Sequence, residues 1–446
     1  MDIKEYKCPN CGGAVQFSSS TQKMKCPYCD AEFEIAALEE YQKETAAPEK
    51  DKFEWDKNDL QEWGDNELNE LTQGACPSCG AELIGDKNTA AMVCPNCGNS
   101  QIVLKRLTGM LKPELVIPFK HEKKSAVEAL KNFYKGKKLL PNSFKDENRI
   151  NNIQGVYLPF WLFDAKAQGH IRYKAAKTKN WSDSTYNYTK TDFYSVVRDG
   201  SMAFEKIPVD GSEKMDDSFM DAIEPFDYSG LKEFQTAFLS GYLAEKYDVD
   251  ADKSQERAQK RIKATVETEF RNSVTGYSSV TAESSKVDVE GGKVTYSLFP
   301  AWVLNTIYNN EKFMFLMNGQ TGKLVGKLPV DKKKSWLYRL MFTGIFGVII
   351  NGIIQLLRLF ADSSENVIDE YLAAFIIGAT LLSFIIGLII VLVWKHGMNT
   401  VRMQTHAFAY VVPGSLAFRE KKDQFLYSTV NQVRKQSSST NTVRRR

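Results

Sequence analysis

Eight cysteines, all before Ser100, fall into four Cys-x-x-Cys pairs: Cys8/Cys11, Cys26/Cys29, Cys76/Cys79 and Cys94/Cys97. A pair at this spacing can hold two thiolates about 2.3 Å from one Zn²⁺, and a second pair brought in by a hairpin closes a tetrahedron with no open coordination position. In each half 14 residues separate the two pairs, one short of the usual ribbon range of about 15 to 20. The spacing recurs identically, which reads as an internal duplication. Pro9, Pro27, Pro77 and Pro95 restrict the turns, while Gly12, Gly80 and Gly98 tolerate the positive φ that such knuckles need. The expected cofactors are two structural Zn²⁺ ions, one held by Cys8, Cys11, Cys26 and Cys29, the other by Cys76, Cys79, Cys94 and Cys97. Disulfides or a redox dithiol are the competing chemistries; a cytosolic location argues against the first, and four thiolates around one ion would silence the second. Each ribbon is too small for a self-sufficient core, so metal binding worth about 10 to 16 kcal/mol is expected to be its folding energy as well.

Little else in the chain carries chemistry. Asn318-Gly-Gln-Thr-Gly-Lys323 resembles a phosphate loop but has Leu324 where Ser or Thr must follow the lysine, and it lacks the first Gly at the required spacing. It reads as a hairpin turn. His121, His170, His396 and His406 are scattered, with no motif relation to one another or to an acidic pair. No catalytic residue is assigned, and the expectation is a protein that is not an enzyme. The first ribbon carries Lys4, Lys7, Lys23 and Lys25 against Asp2, Glu5, Asp30, Glu32 and Glu34, and the second is similarly mixed, so neither shows the basic stripe of a nucleic-acid reader. Protein contact is the favoured use of both.

These sites need elements to carry them. A chain of 446 residues, 43% hydrophobic, has material for two or three folded units, and its net charge of +3 excludes a global field that would draw it to nucleic acid or lipid. The expected fold class is multidomain: two small β zinc ribbons, an α+β antiparallel-sheet domain, and a two-helix transmembrane hairpin. The boundaries are 1–35 for ribbon 1, 36–71 for an acidic flexible linker, 72–107 for ribbon 2, 111–331 for the soluble α+β domain, 337–360 and 371–394 for two transmembrane helices, and 395–446 for a tail with short strands and a disordered basic end. Phe53, Trp55, Leu60 and Trp63 in the linker read either as a partner-binding segment or as a helix packed on a ribbon. In the central domain a hairpin is expected with Asp199-Gly200 as its two-residue turn, and another at Asn309-Asn310. Helices are expected at 121–138 and 251–272. Tyr157-Leu-Pro-Phe-Trp-Leu-Phe163 and Leu298-Phe-Pro-Ala-Trp-Val-Leu304 echo each other, either as a degenerate repeat or as two unrelated core strands with edge prolines. The basic face of the helix at 121–138 could meet anionic lipid, an acidic partner, or only water.

Leu372 to Trp394 runs 23 residues without a charge, and Leu340 to Leu357 is a shorter apolar run interrupted by Asn351 and Gln355. Lys332, Lys333, Lys334 and Arg339 precede the pair and Lys395 and Arg402 follow it, whereas Asp362, Glu365, Asp369 and Glu370 lie between. The positive-inside rule then puts both ends in the cytoplasm, with Arg358 snorkelling outward. The start, Met1-Asp2-Ile3-Lys4-Glu5, has no apolar stretch behind a basic one, so a cleaved secretory signal is not expected. Gly347, Asn351 and Gln355 on the first span and Thr380, Ser383 and Gly387 on the second suit close packing of the two. The expected location is the cell (plasma) membrane, two-pass, with the lipid bilayer as a partner.

The layout resembles a family of bacterial two-pass membrane proteins with transcription-factor-IIB-type zinc ribbons, of the kind associated with phage-shock-protein-A-like envelope stress systems. The resemblance rests on the Cys-Pro-x-Cys knuckles, Val116-Ile-Pro-Phe119, Gly155-Val-Tyr-Leu-Pro-Phe-Trp161, Met317-Asn-Gly-Gln-Thr-Gly-Lys323 with Leu328-Pro-Val-Asp331, and Val412-Pro-Gly-Ser-Leu416. It implies a membrane-anchored adaptor that recruits or scaffolds cytosolic partners, among them a coiled-coil, membrane-remodelling protein of phage-shock-protein-A type, and it implies no catalytic residues. The alternative is a membrane-tethered nucleic-acid-binding (DNA or RNA) zinc-ribbon protein. Self-association into a homo-oligomer is left open.

Overall fold

The structure, a computed structural model, describes residues 6–44, 50–58, 60–64, 71–86, 93–105, 111–145, 150, 152–360 and 372–435. Ribbon 1 comprises β1 (Gln16–Ser18), β2 (Lys23–Lys25) and β3 (Glu32–Phe33), a small antiparallel sheet followed by α1 (Ile35–Glu44). Next come β4 (Phe53–Asp56), then ribbon 2 with β5 (Leu71–Ala75), β6 (Glu82–Asp86) and β7 (Val103–Lys105), then β8 (Leu115–Val116) and α2 (Lys123–Tyr134). The frame follows: β9 (Gln154–Ser182), β10 (Tyr186–Asp210), α3 (Asp217–Ala222), β11 (Lys232–Glu233), β12 (Leu243–Glu245), α4 (Ala251–Asn272), β13 (Ser279–Tyr308), β14 (Glu311–Asn318) and β15 (Leu324–Gly326). Two long helices, α5 (Lys332–Phe360) and α6 (Leu372–His396), precede the last strand, β16 (Ala417–Arg434). Apart from ribbon 1, the described strands form one sheet.

Four long antiparallel strands in the order β16–β10–β9–β13 hold this sheet together. Asp250 caps α4 by accepting from the Lys253 amide, and Ala258, Ile262, Val266 and Phe270, one turn apart, are all buried against the sheet. Burying the three larger ones contributes about 1.5–3 kcal/mol each. Gly169 is where the helix comes closest: a Cβ there would lie 2.8 Å from Val266 and 2.9 Å from Phe270. A second core, on Leu158, Phe160, Leu162 and Phe299, packs on α3, and a third joins α2 to β13, β14 and the adjoining end of α6.

The expected hairpin at Asp199-Gly200 is not formed. β10 runs straight through it, with Asp199 opposite both His170 of β9 and Glu420 of β16. Ladder bonds on both sides outweigh the local turn preference, and Gly200 serves close approach instead, since a Cβ would sit 2.4 Å from the Ala417 carbonyl oxygen. The chain reverses at Asp183, whose Oδ1 accepts from the Thr185 and Tyr186 amides at 2.7 Å. The turn at Asn309-Asn310 forms as expected, with φ of 51° and 62°. The helix expected over 251–272 forms with those bounds, and that over 121–138 narrows to Lys123–Tyr134. Asn318–Lys323 is a turn between β14 and β15, with Asn318 Oδ1 accepting from the Gln320 and Thr321 amides.

The two echoing segments are antiparallel neighbours: Pro159 lies opposite Leu298, and Pro300 opposite Tyr157. Neither proline is at an outer edge. Each sits where its strand changes partner, β9 from β12 to β10 and β13 from β8 to β14, and each carbonyl accepts from a glycine amide, Gly211 at 2.9 Å and Gly319 at 2.8 Å. A missing N–H breaks no ladder bond at such a gap.

Two expected boundaries need correction. In its described residues, the segment 36–71 is docked, not a free tether. α1 buries Leu38 in ribbon 1, β4 pairs with β13, Trp55 lies against Gly292 and edge-on to Phe163, and the buried Trp63 donates to the Leu111 carbonyl at 3.1 Å. Its aromatics serve the sheet domain. The tail expected over 395–446 contains β16, an 18-residue strand paired along β10, in place of short strands. Its charged run Arg419–Asp423 hid it, because backbone pairing and not apolar alternation holds this strand. The acidic loop with Asp362, Glu365, Asp369 and Glu370 and the basic end 436–446 lie outside the described residues.

α5 and α6 are each long and apolar enough to cross a membrane, at about 1.5 Å per residue over 27 and 24 residues. The most apolar stretch of α5 has no buried residue, and Val348 and Leu340 are 76% and 60% exposed. The helices touch at Gly387, where a Cβ would lie 2.9 Å from Thr343 Oγ1 and 3.1 Å from the Arg339 carbonyl oxygen.

Candidate metal centres

All eight predicted ligands gather as two groups of four, each with its Sγ atoms within 4.8 Å of one another. The short edges are Cys8–Cys29 at 3.6 Å, Cys11–Cys26 at 3.5 Å, Cys76–Cys97 at 3.5 Å and Cys79–Cys94 at 3.5 Å. A tetrahedron with 2.3 Å metal–sulfur bonds has edges of about 3.8 Å, so the groups are close to the size a four-thiolate metal site requires. No two of these sulfurs are bonded to each other.

Four knuckles of one design build the groups. In each, the first cysteine's amide donates to a carbonyl five residues on, and its own carbonyl accepts from the amide four residues on: Cys8 with Gly13 and Gly12, Cys26 with Ala31 and Asp30, Cys76 with Ala81 and Gly80, Cys94 with Asn99 and Gly98. The turn residue is left-handed in all four, with φ of 78° at Gly12, 57° at Asp30, 75° at Gly80 and 78° at Gly98. Asp30 is the position the sequence reading missed; the register of the other three knuckles marks it, and Asp is among the few side chains that tolerate this conformation.

Each group contains one thiol drawn down to about 7. Burial works against this at both, and is outweighed at Cys26 by the Tyr28 and Cys29 amides and at Cys97 by the Asn99 amide and neighbouring thiols. Burial pushes Cys8 up to about 12 and raises Cys94 further. One ready thiolate beside harder ones fits a metal-binding set, in which the cation displaces the remaining protons. The histidines stay apart: His170 pairs with Asp199 at 3.1 Å, and His121 Nδ1 lies 3.5 Å from Ser125 Oγ.

Both centres are fixed to the large sheet by residues with no motif of their own. Ribbon 1 sits on β16, where Tyr427 donates to Asn10 Oδ1 at 2.9 Å, meets Phe33 edge-on at 5.2 Å and stacks on Phe193 at 4.6 Å. Arg172 lies 4.9 Å over the Tyr41 ring, and Lys422 pairs with Glu40. Ribbon 2 joins the sheet through β6 and β12 and through the Asn96 side chain, which donates at 2.8 Å to the buried Glu245. Ser212 donates to the same oxygen at 2.9 Å. Burial lifts Glu245 to about 7. Lys312 and Asn305 reach the Asn96 and Pro95 carbonyls of the last knuckle.

No family model matches this chain, and no solved structure does. A protein of Bacillus subtilis (strain 168), "Uncharacterized protein YdjG", is 35% identical to it over 347 residues, which are 77% of this chain and 95% of that protein. With a match that takes in nearly the whole of the relative, the chain belongs to the same family as YdjG.

Proposed function

We propose that this protein is a membrane-anchored adaptor, not an enzyme, in which α5 and α6 cross the plasma membrane as a hairpin and hold two zinc centres at the cytoplasmic surface. The observation that carries the reading is the outward-facing apolar surface of α5 and α6, covalently continuous with a sheet that holds both four-cysteine groups. Zinc is the metal favoured by a closed, all-thiolate, tetrahedral set. Lysines and arginines at the sheet-side ends of both helices favour cytoplasmic termini. For a partner, ribbon 1 leaves Tyr28, Phe17 and Ile35 exposed, at 76%, 53% and 42%; a solvated aromatic on a metal-braced turn is an apt protein contact. The resemblance to zinc-ribbon proteins of envelope stress systems makes a coiled-coil protein of phage-shock-protein-A type the leading candidate for that contact.

Crosslinking in intact cells followed by fractionation tests the proposal. The chain should stay with membranes through an alkaline wash, and Phe17→Ser with Tyr28→Ser should lose the crosslinked coiled-coil partner while keeping the metal. A chain that remains soluble without detergent, or partner capture indifferent to these residues, would overturn it.

A further inference from the structure

Three segments distant in sequence, 131–138, 332–339 and 395–402, carry ten lysines and arginines and not one carboxylate. The fold brings them together at the sheet-side ends of α5 and α6. Lys137 Nζ donates to the Gly397 carbonyl at 2.6 Å, Lys138 Nζ lies 4.6 Å over the Trp394 ring, and Lys334 Nζ donates to the Leu140 carbonyl at 2.8 Å and to Asn142 Oδ1 at 2.9 Å. The Asp331 amide closes the junction on the Leu139 carbonyl at 2.9 Å. Gly136, at φ 73°, turns the chain sharply after α2 and so delivers Lys137 and Lys138 to the end of α6. Between this turn and α6 lies a half-open cleft of about 180 Å³, walled by Gly136, Lys138, Leu139, Val393 and Trp394. Tyr338 meets Trp394 edge-on at 5.3 Å at the same level, and on the same turn of α5 Trp336 is 57% exposed with the Arg339 guanidinium 4.7 Å over its ring.

The Asp331 carboxylate at this junction accepts from the Lys333 and Lys334 amides, and the cations gathered around it still repel one another unless a further anion sits among them. Aromatics mark the level as that of a bilayer's interface, and the cleft offers cationic donors above an apolar wall that continues along α6. We propose that this cleft and its basic collar seat the phosphate headgroup of an anionic phospholipid, with acyl chains lying along α6. The inference rests on the membrane reading above and deepens it: the soluble domain grips the lipid surface with α2 as well as being tethered to it.

The test uses the full chain reconstituted into bilayers of phosphatidylcholine containing a minority of phosphatidylglycerol, then extracted gently, with retained lipid measured by native mass spectrometry. Wild type should keep phosphatidylglycerol in preference to phosphatidylcholine, and Lys137→Gln with Lys138→Gln should lower that retention roughly tenfold or more, whereas Lys137→Arg with Lys138→Arg should keep it. An unchanged metal content in each variant shows that folding is intact. Equal retention of both lipids by a properly inserted chain, displacement of the lipid by millimolar inorganic phosphate, or bound RNA in its place would overturn the headgroup assignment alone. A chain that fails to insert even into neutral bilayers would overturn the membrane reading with it.

Discussion

Replacing Tyr427 by Ala asks whether ribbon 1 is a packed part of the sheet or a module on a loose arm. The side chain is 1% exposed, edge-on to Phe33, stacked on Phe193 and hydrogen-bonded to Asn10 between Cys8 and Cys11. Truncating a buried aromatic costs about 3–5 kcal/mol in transfer and cavity terms. Falling wholly on the docked state, that raises the undocked population by roughly two to three and a half powers of ten. The contacts of Tyr41 with Arg172 and Glu40 with Lys422 remain, so the lower figure is expected. Tyr427→Phe loses only the hydroxyl, and the exposed Asn10 can turn to water, so about 1 kcal/mol or less is expected. Hydrogen exchange of the metal-loaded chain in detergent reads this directly. Amides of β1–β3, α1 and β16 should exchange faster by about a hundredfold or more in Tyr427→Ala, while α4 and the middle of β9 stay protected and both metals stay bound. Unchanged exchange across 6–44 would refute the packed arrangement.

Three further outcomes follow from named contacts. Gly387→Ala forces a methyl onto Thr343 and the Arg339 carbonyl and should cost about 1–3 kcal/mol in detergent thermal unfolding; Gly378→Ala, with nothing within 4 Å of its Cβ, should be silent. Arg261→Met leaves Glu224, which the guanidinium binds through 2.7 Å and 3.1 Å contacts and Tyr410 through 2.6 Å, buried without its cation. A loss of about 3–5 kcal/mol is expected, largely recovered by adding Glu224→Gln, as a double-mutant cycle will read. Glu245 is raised by burial to about 7 in the folded chain, so its contribution is full below the ordinary carboxylate range and is lost as pH climbs through 7. Glu245→Gln should therefore gain about 3 kcal/mol of stability at pH 8 over wild type and little at pH 4, as denaturant titrations at the two values will show.

The two four-cysteine groups were legible because every determinant is local: two residues between the cysteines of a pair, a proline inside, a left-handed turn residue after. What anchors them was not, since Asn10 meets Tyr427 across 417 residues and Asn96 meets Glu245 across 149, with no periodic signature. Local signals failed where non-local pairing competed. Asn309-Asn310 turns because its strands end there; Asp199-Gly200, the stronger turn dipeptide, is overruled by partners on both flanks. In the acidic segment 36–71, Trp55 and Trp63 stood out but not what they meet, and Leu38 did not stand out at all, because each packs on a surface that only the fold creates. The apolar helices were plain from length alone, whereas the convergence of Lys137, Lys138 and Lys334 on their ends required the turn at Gly136.

Native mass spectrometry of the full chain, released from detergent micelles under non-reducing conditions, reads directly whether each four-cysteine group closes on a metal ion. The expected mass is that of the chain plus two zinc ions, with the thiol protons they displace missing, and one zinc is lost when either Cys26 or Cys94 is changed to Ser. A metal-free chain lighter by the hydrogens of four disulfides would contradict it.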